Sequence, residues 1–186
     1  MKTIYLIRHG QTEANERRLY CGSSDLPLSE SGMDALRMKR YEITADRFLT
    51  SGMLRTEQTL GLLFGDVPHE AESRFREVDF GDFELRSYGE LKDDPAYQAW
   101  ITGDNESNVP PNGESGVQMT ARVMEAFREL EHREETCVLI AHGGVIAAIM
   151  AERFPEEGKN RYQWQPKPGE GYALECGGYR YINGEA

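Results

Sequence analysis

Thr3-Ile4-Tyr5-Leu6-Ile7-Arg8-His9-Gly10 is the stretch on which the reading of this chain turns. An apolar run of strand length stops at a guanidinium, an imidazole and a glycine, as a buried strand does where it leaves a sheet. A second run, Cys137-Val138-Leu139-Ile140-Ala141, stops in the same way at His142-Gly143. The chain has four histidines, and two of them close strand-like segments. An imidazole beside a guanidinium suits chemistry on an anion.

The segments between these runs read as alternating helices and strands. Ser29-Glu30-Ser31-Gly32 opens a helix expected to reach about Tyr41. Residues 47–50 form a short strand, and Ser51 is placed to cap a helix over 54–64. Residues 74–78 read as a short strand or extended segment. Val117, Val123, Met124, Phe127 and Leu130 recur at helical spacing within 114–131, and another helix follows over 144–153. Two β-like runs in 171–182, split by Gly177-Gly178, form a hairpin. The alternation predicts an α/β fold: a three-layer α/β/α sandwich whose central sheet is mostly parallel, with one antiparallel edge. No repeat or second domain is visible, so residues 1–186 read as one domain. Within it, the irregular and aromatic-rich segment 79–113 reads as a lid-like insertion.

Composition narrows the function classes. The formal net charge is −11, from 21 basic and 32 acidic side chains. Nucleic acid and anionic membranes both require a basic face, so neither is expected as a partner. No apolar stretch approaches the roughly 18 residues of a membrane span, and no signal-peptide layout precedes the first strand. A soluble, cytoplasmic protein is expected. Cys21, Cys137 and Cys176 are odd in number and widely spaced, which fits reduced thiols. The oligomeric state is not legible.

Ligands of open α/β sheets collect beyond the carboxyl ends of the strands. Arg8-His9, Ser51 with Arg55 a turn later, and His142-Gly143 all fall there. If those strands are parallel neighbours, two arginines and two histidines converge. Phosphate fits such a set best. Guanidiniums clamp its oxygens, a neutral imidazole can attack phosphorus, and a second imidazole, if protonated, adds a donor. A carboxylic acid must then protonate the leaving oxygen, and Glu77 and Glu84 are the candidates. A metal held by His9 and His142 would leave both arginines facing a cation.

Ordered blocks along nearly the whole chain resemble the histidine phosphatase superfamily, in its phosphoglycerate-mutase-like branch. They are Leu6-Ile7-Arg8-His9-Gly10-Gln11-Thr12-Glu13-Ala14-Asn15, Leu26-Pro27-Leu28-Ser29-Glu30-Ser31-Gly32 and Ser51-Gly52-Met53-Leu54-Arg55-Thr56-Glu57-Gln58-Thr59. Glu77-Val78-Asp79-Phe80-Gly81-Asp82-Phe83-Glu84, Asn112-Gly113-Glu114-Ser115 and Ala141-His142-Gly143-Gly144 complete the set. The resemblance implies His9 as the nucleophile, with Arg8, Arg55 and His142 completing a phosphate pocket and Glu77 moving the proton. It implies Gln11, Thr12, Asn15 and Gly143 on the substrate side, and neither metal nor cofactor. The expected partner is a small phosphorylated substrate.

The chain departs from the family pattern at Leu85, where many members have glycine. It is also shorter than the glycolytic mutases and lacks their longer insertion. A mutase must hold a bisphosphorylated intermediate away from water, so a short lid favours hydrolysis. The lid sequence is similar to that of α-ribazole phosphatases and of broad-specificity phosphatases, which implies a phosphomonoester such as α-ribazole 5′-phosphate. A phosphoglycerate mutase and a non-catalytic phospholigand-binding module are the alternatives.

Overall fold

The computed structural model of the protein describes residues 2–104 and 106–185. In chain order the elements are β1 (Ile4–Arg8), α1 (Glu13–Glu16), α2 (Glu30–Arg37), β2 (Arg47–Thr50), α3 (Leu54–Phe64) and β3 (Glu70–Ala71). They continue with α4 (Tyr88–Leu91), α5 (Pro95–Ile101), α6 (Gly116–Glu131), β4 (Cys137–Ala141), α7 (Gly143–Arg153), α8 (Arg161–Trp164), β5 (Gly171–Glu175) and β6 (Gly178–Ile182). The six strands form one sheet in the order β3-β2-β4-β1-β5-β6. β1, β2, β3 and β4 run parallel to one another, β5 runs antiparallel to β1, and β6 runs antiparallel to β5, giving the expected mixed sheet.

β4 anchors the molecule because all five of its residues are buried. Successive side chains of a strand point to opposite faces. Accordingly, Cys137, Leu139 and Ala141 join the core beneath α6 and α7. Val138 and Ile140 join the core on the other face, against Leu60, Leu63 and Phe64 of α3. β1 alternates the same way, with Ile4 and Leu6 on the first face and Ile7 on the second. α7 is apolar nearly all round, with Val145 through Met150 all buried, as befits a helix packed on several sides.

Several boundaries differ from the sequence reading, each for a local reason. The helix opening at Ser29 ends at Arg37 rather than near Tyr41. Its continuation is drawn off by long-range bonds: Arg40 N–H donates to the Gly184 carbonyl, and Lys39 Nζ to the Asn183 carbonyl. Residues 74–78 form no strand. A 3₁₀ turn at Ser73–Phe75 buries Phe75 instead, and the edge strand is the two-residue β3 just before it. The tail hairpin turns on Cys176-Gly177, because Glu175 pairs with Gly178. Gly177 holds φ +82, which suits glycine. In the segment 79–113 a 3₁₀ turn (Gly81–Phe83), α4 and α5 carry a separate aromatic cluster. Phe83, Leu91 and Tyr97 are its buried members, with Tyr20, Phe80 and Trp100 against them.

Candidate active site

The order β2-β4-β1 brings three carboxyl ends side by side. Arg8 ends β1, Ser51 follows β2, and His142 follows β4 as the residue before α7. His9 and His142 meet edge to face, with ring centroids 5.1 Å apart. Both imidazoles are buried, at 5% and 0% exposure, and Arg55 is 1% exposed. Burial of these polar groups demands partners, and those partners fix their geometry.

His9 Nδ1 lies 2.6 Å from the Gly10 carbonyl. A carbonyl only accepts, so Nδ1 carries the proton and Nε2 keeps its lone pair. Burial, followed by the charges of Arg55 and Arg8, holds the His9 pKa well below the ordinary histidine value. Gly10 is itself pinned by its N–H to Thr59 Oγ1 at 3.0 Å. A Cβ on Gly10 would come within 2.6 Å of Leu36 Cδ1, so the loop turns close against α2.

Arg55 Nη1 donates to the Ser24 carbonyl and Nη2 to the Gly22 carbonyl, both at 2.8 Å. The opposite side of that loop is held by Glu84. Its carboxylate accepts from the backbone N–H groups of Gly22, Ser23, Ser24 and Phe80 at 2.9–3.2 Å. Gly22 is required there, because a Cβ would sit 1.6 Å from the Val78 carbonyl oxygen. Glu84 therefore builds the loop, and it is already saturated as a backbone acceptor. Of the two acid candidates in the sequence, only Glu77 remains beside the pocket.

Glu77 Oε2 accepts the Gly144 N–H at 2.8 Å, in the first turn of α7. The carboxylate lies so close over this turn that a Cβ on Gly144 would meet Oε1 at 2.4 Å. On the adjoining Gly143 a Cβ would meet Arg8 Cζ at 3.1 Å. The glycine pair lets Arg8 and Glu77 approach the same helix end. Arg8 Nη1 donates to the Pro166 carbonyl at 2.9 Å, while Nε is buried with no hydrogen-bond partner among the described residues. Burial lowers the Arg8 pKa, and Glu77 acts in the opposite sense.

The protonation state of His142, a condition in the sequence reading, follows from its surroundings. Burial comes first among the causes that hold its pKa well below the ordinary value, followed by Arg55, His9 and Arg8. The imidazole is neutral, not cationic, and offers one N–H. Its Nε2 bonds Ser51 Oγ at 2.8 Å, and its Nδ1 is buried without a partner among the described residues. Ser51 is not the cap of the following helix that its sequence position suggests. The cap residue is Met53, and the fully buried Ser51 hydroxyl orients His142.

Thr12 is fully buried, and its hydroxyl and backbone N–H close a capping box with Asn15 at the start of α1. Thr12 Oγ1 and Asn15 Oδ1 are thereby engaged with each other, so the pair shapes the loop after His9. Gln11 is half-buried, and its carbonyl accepts from Ser29 N–H at 2.9 Å.

A cavity of about 320 Å³ opens in front of Arg8, Glu77, Gly143 and Gly144. Tyr20, Phe80 and Trp100 form its aromatic wall. Sequence reasoning misses what Ser51 and Glu84 do. Ser51 stands in a motif block, but its partner lies 91 residues away. The Glu84 contacts span 60 to 62 residues to the first loop.

The model of the histidine phosphatase superfamily (branch 1) matches residues 4–181. The adenosylcobalamin/alpha-ribazole phosphatase of Salmonella typhimurium is 30% identical over 190 residues, covering 95% of this chain and 92% of its own. A 2,3-bisphosphoglycerate-dependent phosphoglycerate mutase of Xanthobacter autotrophicus is 27% identical over 176 residues, covering 84% of each. The crystal structure of the alpha-ribazole phosphatase from Shigella flexneri matches with a TM-score of 0.82 at 28% identity. That match covers 93% of this chain and 90% of the other.

Proposed function

The chain belongs to branch 1 of the histidine phosphatase superfamily, and from that premise we propose that it hydrolyses a small phosphomonoester through a phosphohistidine on His9. The observation that carries the reading is the state of His9. Its Nδ1–H is tied to the Gly10 carbonyl, and its free Nε2 lies in a pocket with Arg8, Arg55 and His142. Nε2 attacks phosphorus as the ester P–O bond breaks. Glu77, in its acid form, gives its proton to the departing oxygen. Water then attacks phospho-His9 and surrenders a proton to the Glu77 carboxylate, restoring both groups and releasing phosphate. Arg8 and Arg55 neutralise the equatorial oxygens, and the His142 N–H adds a neutral donor. Gln11 and Gly143 belong to the substrate side of this pocket.

Likeness to alpha-ribazole phosphatases over nearly the full length supports α-ribazole 5′-phosphate as the ester. The aromatic wall of Tyr20, Phe80 and Trp100 suits a flat heteroaromatic leaving group. A mutase reading draws on the similarity to a phosphoglycerate mutase. Phosphorus NMR on a mixture with 3-phosphoglycerate separates the two: free phosphate without 2-phosphoglycerate is expected. A brief pulse of labelled phosphomonoester should leave acid-labile label on the wild type, and His9→Ala should abolish label and turnover together. Turnover retained by His9→Ala would overturn the mechanism.

A further inference from the structure

The far wall of the cavity before Arg8 is an ion pair. Glu106, in the segment between α5 and α6, bonds Arg161 at the start of α8 through Oε2 and Nη1. The pair is seated on the first residue of α6, Gly116. A Cβ there would meet Glu106 Oε2 at 2.2 Å and Arg161 Nη1 at 2.8 Å. Three further bonds fix the Glu106 side. Val117 N–H donates to the Glu106 carbonyl at 3.0 Å. Asn108 Nδ2 donates to the Trp100 and Thr102 carbonyls at 2.9 and 2.8 Å, gathering the chain onto the end of α5.

Behind the pair lies a second and larger cavity of about 770 Å³, between α6, α7 and α8. Val117, Ala121, Met124, Ala147 and Ala151 give it an apolar lining. Glu106, Arg161 and Tyr162 line both cavities. The two spaces are thus neighbours with one wall between them, and the two charged members of that wall are the ion pair.

We propose that the Glu106–Arg161 pair is a partition that sets leaving-group size: esters that fit the inner cavity are accepted, and extended apolar leaving groups are refused entry to the outer one. The proposal rests on the phosphomonoesterase reading. An apolar group advancing from the inner cavity meets a carboxylate and a guanidinium whose exposure to water it would have to remove. Desolvating them without a replacement partner is unfavourable. Without the pair, the same group would reach the apolar surface of α6 and α7. The pair is thus a specificity determinant on the leaving-group side, remote from the transferred phosphoryl.

Phenyl phosphate and 4-hexylphenyl phosphate have leaving groups of near-equal acidity and differ in reach, so the ratio of their kcat/KM values isolates the partition. Glu106→Ala/Arg161→Ala should raise the ratio of long to short ester by about 10-fold over wild type, the scale on which a few methylenes discriminate in an apolar pocket. The charge-swapped Glu106→Arg/Arg161→Glu should return the ratio to the wild-type value. A folded double-alanine variant with an unchanged ratio would overturn the proposal, as would a swap that behaves like double alanine. If double alanine does not fold, Glu106→Gln/Arg161→Gln keeps most of the bulk and removes both charges. It should raise the ratio by about 3-fold, and no rise overturns the proposal. If neither ester is hydrolysed by the wild type, the phosphatase reading fails separately. Calorimetric affinities for benzylphosphonate and 4-hexylbenzylphosphonate then supply the same ratio, and the partition stands or falls on whether double alanine raises it.

Discussion

At the strand ends, His9, Arg55 and His142 are buried and tied to backbone carbonyls or to Ser51. Across the cavity, Tyr20, Phe80 and Trp100 lean on one another, with ring centroids 5.1–6.0 Å apart, and none of the three stands in a strand. The first region inherits its precision from the sheet: three parallel strands in fixed register deliver His9, Ser51 and His142 to one place, and α3 brings Arg55 beside them. The second is assembled from two short helices and a 3₁₀ turn, and what holds it is aromatic packing and side-chain caps. The strand-end side chains are thus held on the rigid part, and the aromatic wall stands on a part that can be rebuilt without disturbing it.

The largest expected effect probes a residue that lines the cavity between the two regions. Glu77 stands two residues before the segment 79–113 and anchors its carboxylate on α7. Glu77→Gln should lower kcat/KM by about 10²–10⁴-fold on alkyl phosphates, whose leaving oxygen needs a proton. On p-nitrophenyl phosphate the loss should be much smaller. Equal losses on both esters, measured by steady-state kinetics, would remove Glu77 from the proton-transfer role.

Glu84 supplies the next test, because it couples the two regions. Its carboxylate holds the N–H side of residues 22–24, and Arg55 holds their carbonyl side. Glu84→Ala strands several partly buried N–H groups and should cost about 2 kcal/mol of stability in urea denaturation. It should also lower kcat/KM, since Arg55 loses its template. Glu84→Gln keeps the shape but turns a donor toward an N–H, so it should fall between the two. Loss of stability with unchanged kcat/KM would show that the segment 79–113 and the pocket are independent.

What the sequence disclosed follows the same division. Ile4-Tyr5-Leu6-Ile7 and Val138-Leu139-Ile140 announce buried strands because a strand covered on both faces has no polar alternation to confuse. The residues just after them were legible as a site for the same reason. β3 was not legible: Glu70 and Ala71 are both exposed and pair only along the edge of β2. Their neighbours at 74–78 mimic a strand because Phe75 and Val78 are apolar, yet Phe75 is buried from a 3₁₀ turn. The partnerships Ser51–His142 and Glu84 with residues 22–24 join segments far apart in the chain, and no local periodicity records them.

Histidines divide in the same way as the two regions, and pH separates them. His9 and His142 have pKa values held well below the unfolded value of about 6.5 by burial first and then by neighbouring cations. Below that pH the unfolded chain binds protons that the fold refuses, so stability falls. Their contribution is complete above about pH 6.5 and is lost as pH drops toward the folded values. Exposed His69 shifts the other way, raised by its bond to the Val67 carbonyl and by Glu57. Urea titrations at pH 5.5 and 7 should show a slope of up to about 1.4 kcal/mol per pH unit for each pocket imidazole. His9→Gln should flatten it and His69→Gln should not. By NMR, the His69 ring should titrate above the ordinary histidine value of about 6.5 and the pocket rings well below it.

The smallest effect concerns where the backbone is strained. Among the described residues, the non-glycine positions with positive φ are Arg18, Leu85 and Asn112, and none lies in β1, β2 or β4. Leu85 holds φ +58, a conformation that glycine adopts without strain. A left-handed conformation costs a residue with a Cβ about 1–2 kcal/mol. Leu85 is 42% exposed, so little burial compensates for that cost. It is held there because its N–H donates to the Tyr20 carbonyl at 2.7 Å, directly after Glu84 has fixed the first loop. Leu85→Gly removes the strain but adds roughly 0.5–1 kcal/mol of unfolded-state freedom. The net expectation is a gain of about 0.5–1 kcal/mol, a rise in Tm of roughly 2 °C for a chain of this size. Leu85→Ala keeps the Cβ and the strain and should gain nothing, so calorimetry on the two variants distinguishes backbone relief from loss of the leucine side chain. If glycine also leaves the ratio of long to short ester unchanged, the strain at Leu85 is local to the turn. A changed ratio would mean that the turn after Glu84 sets the position of the aromatic wall, and that the segment 79–113 draws part of its geometry from the loop beneath it.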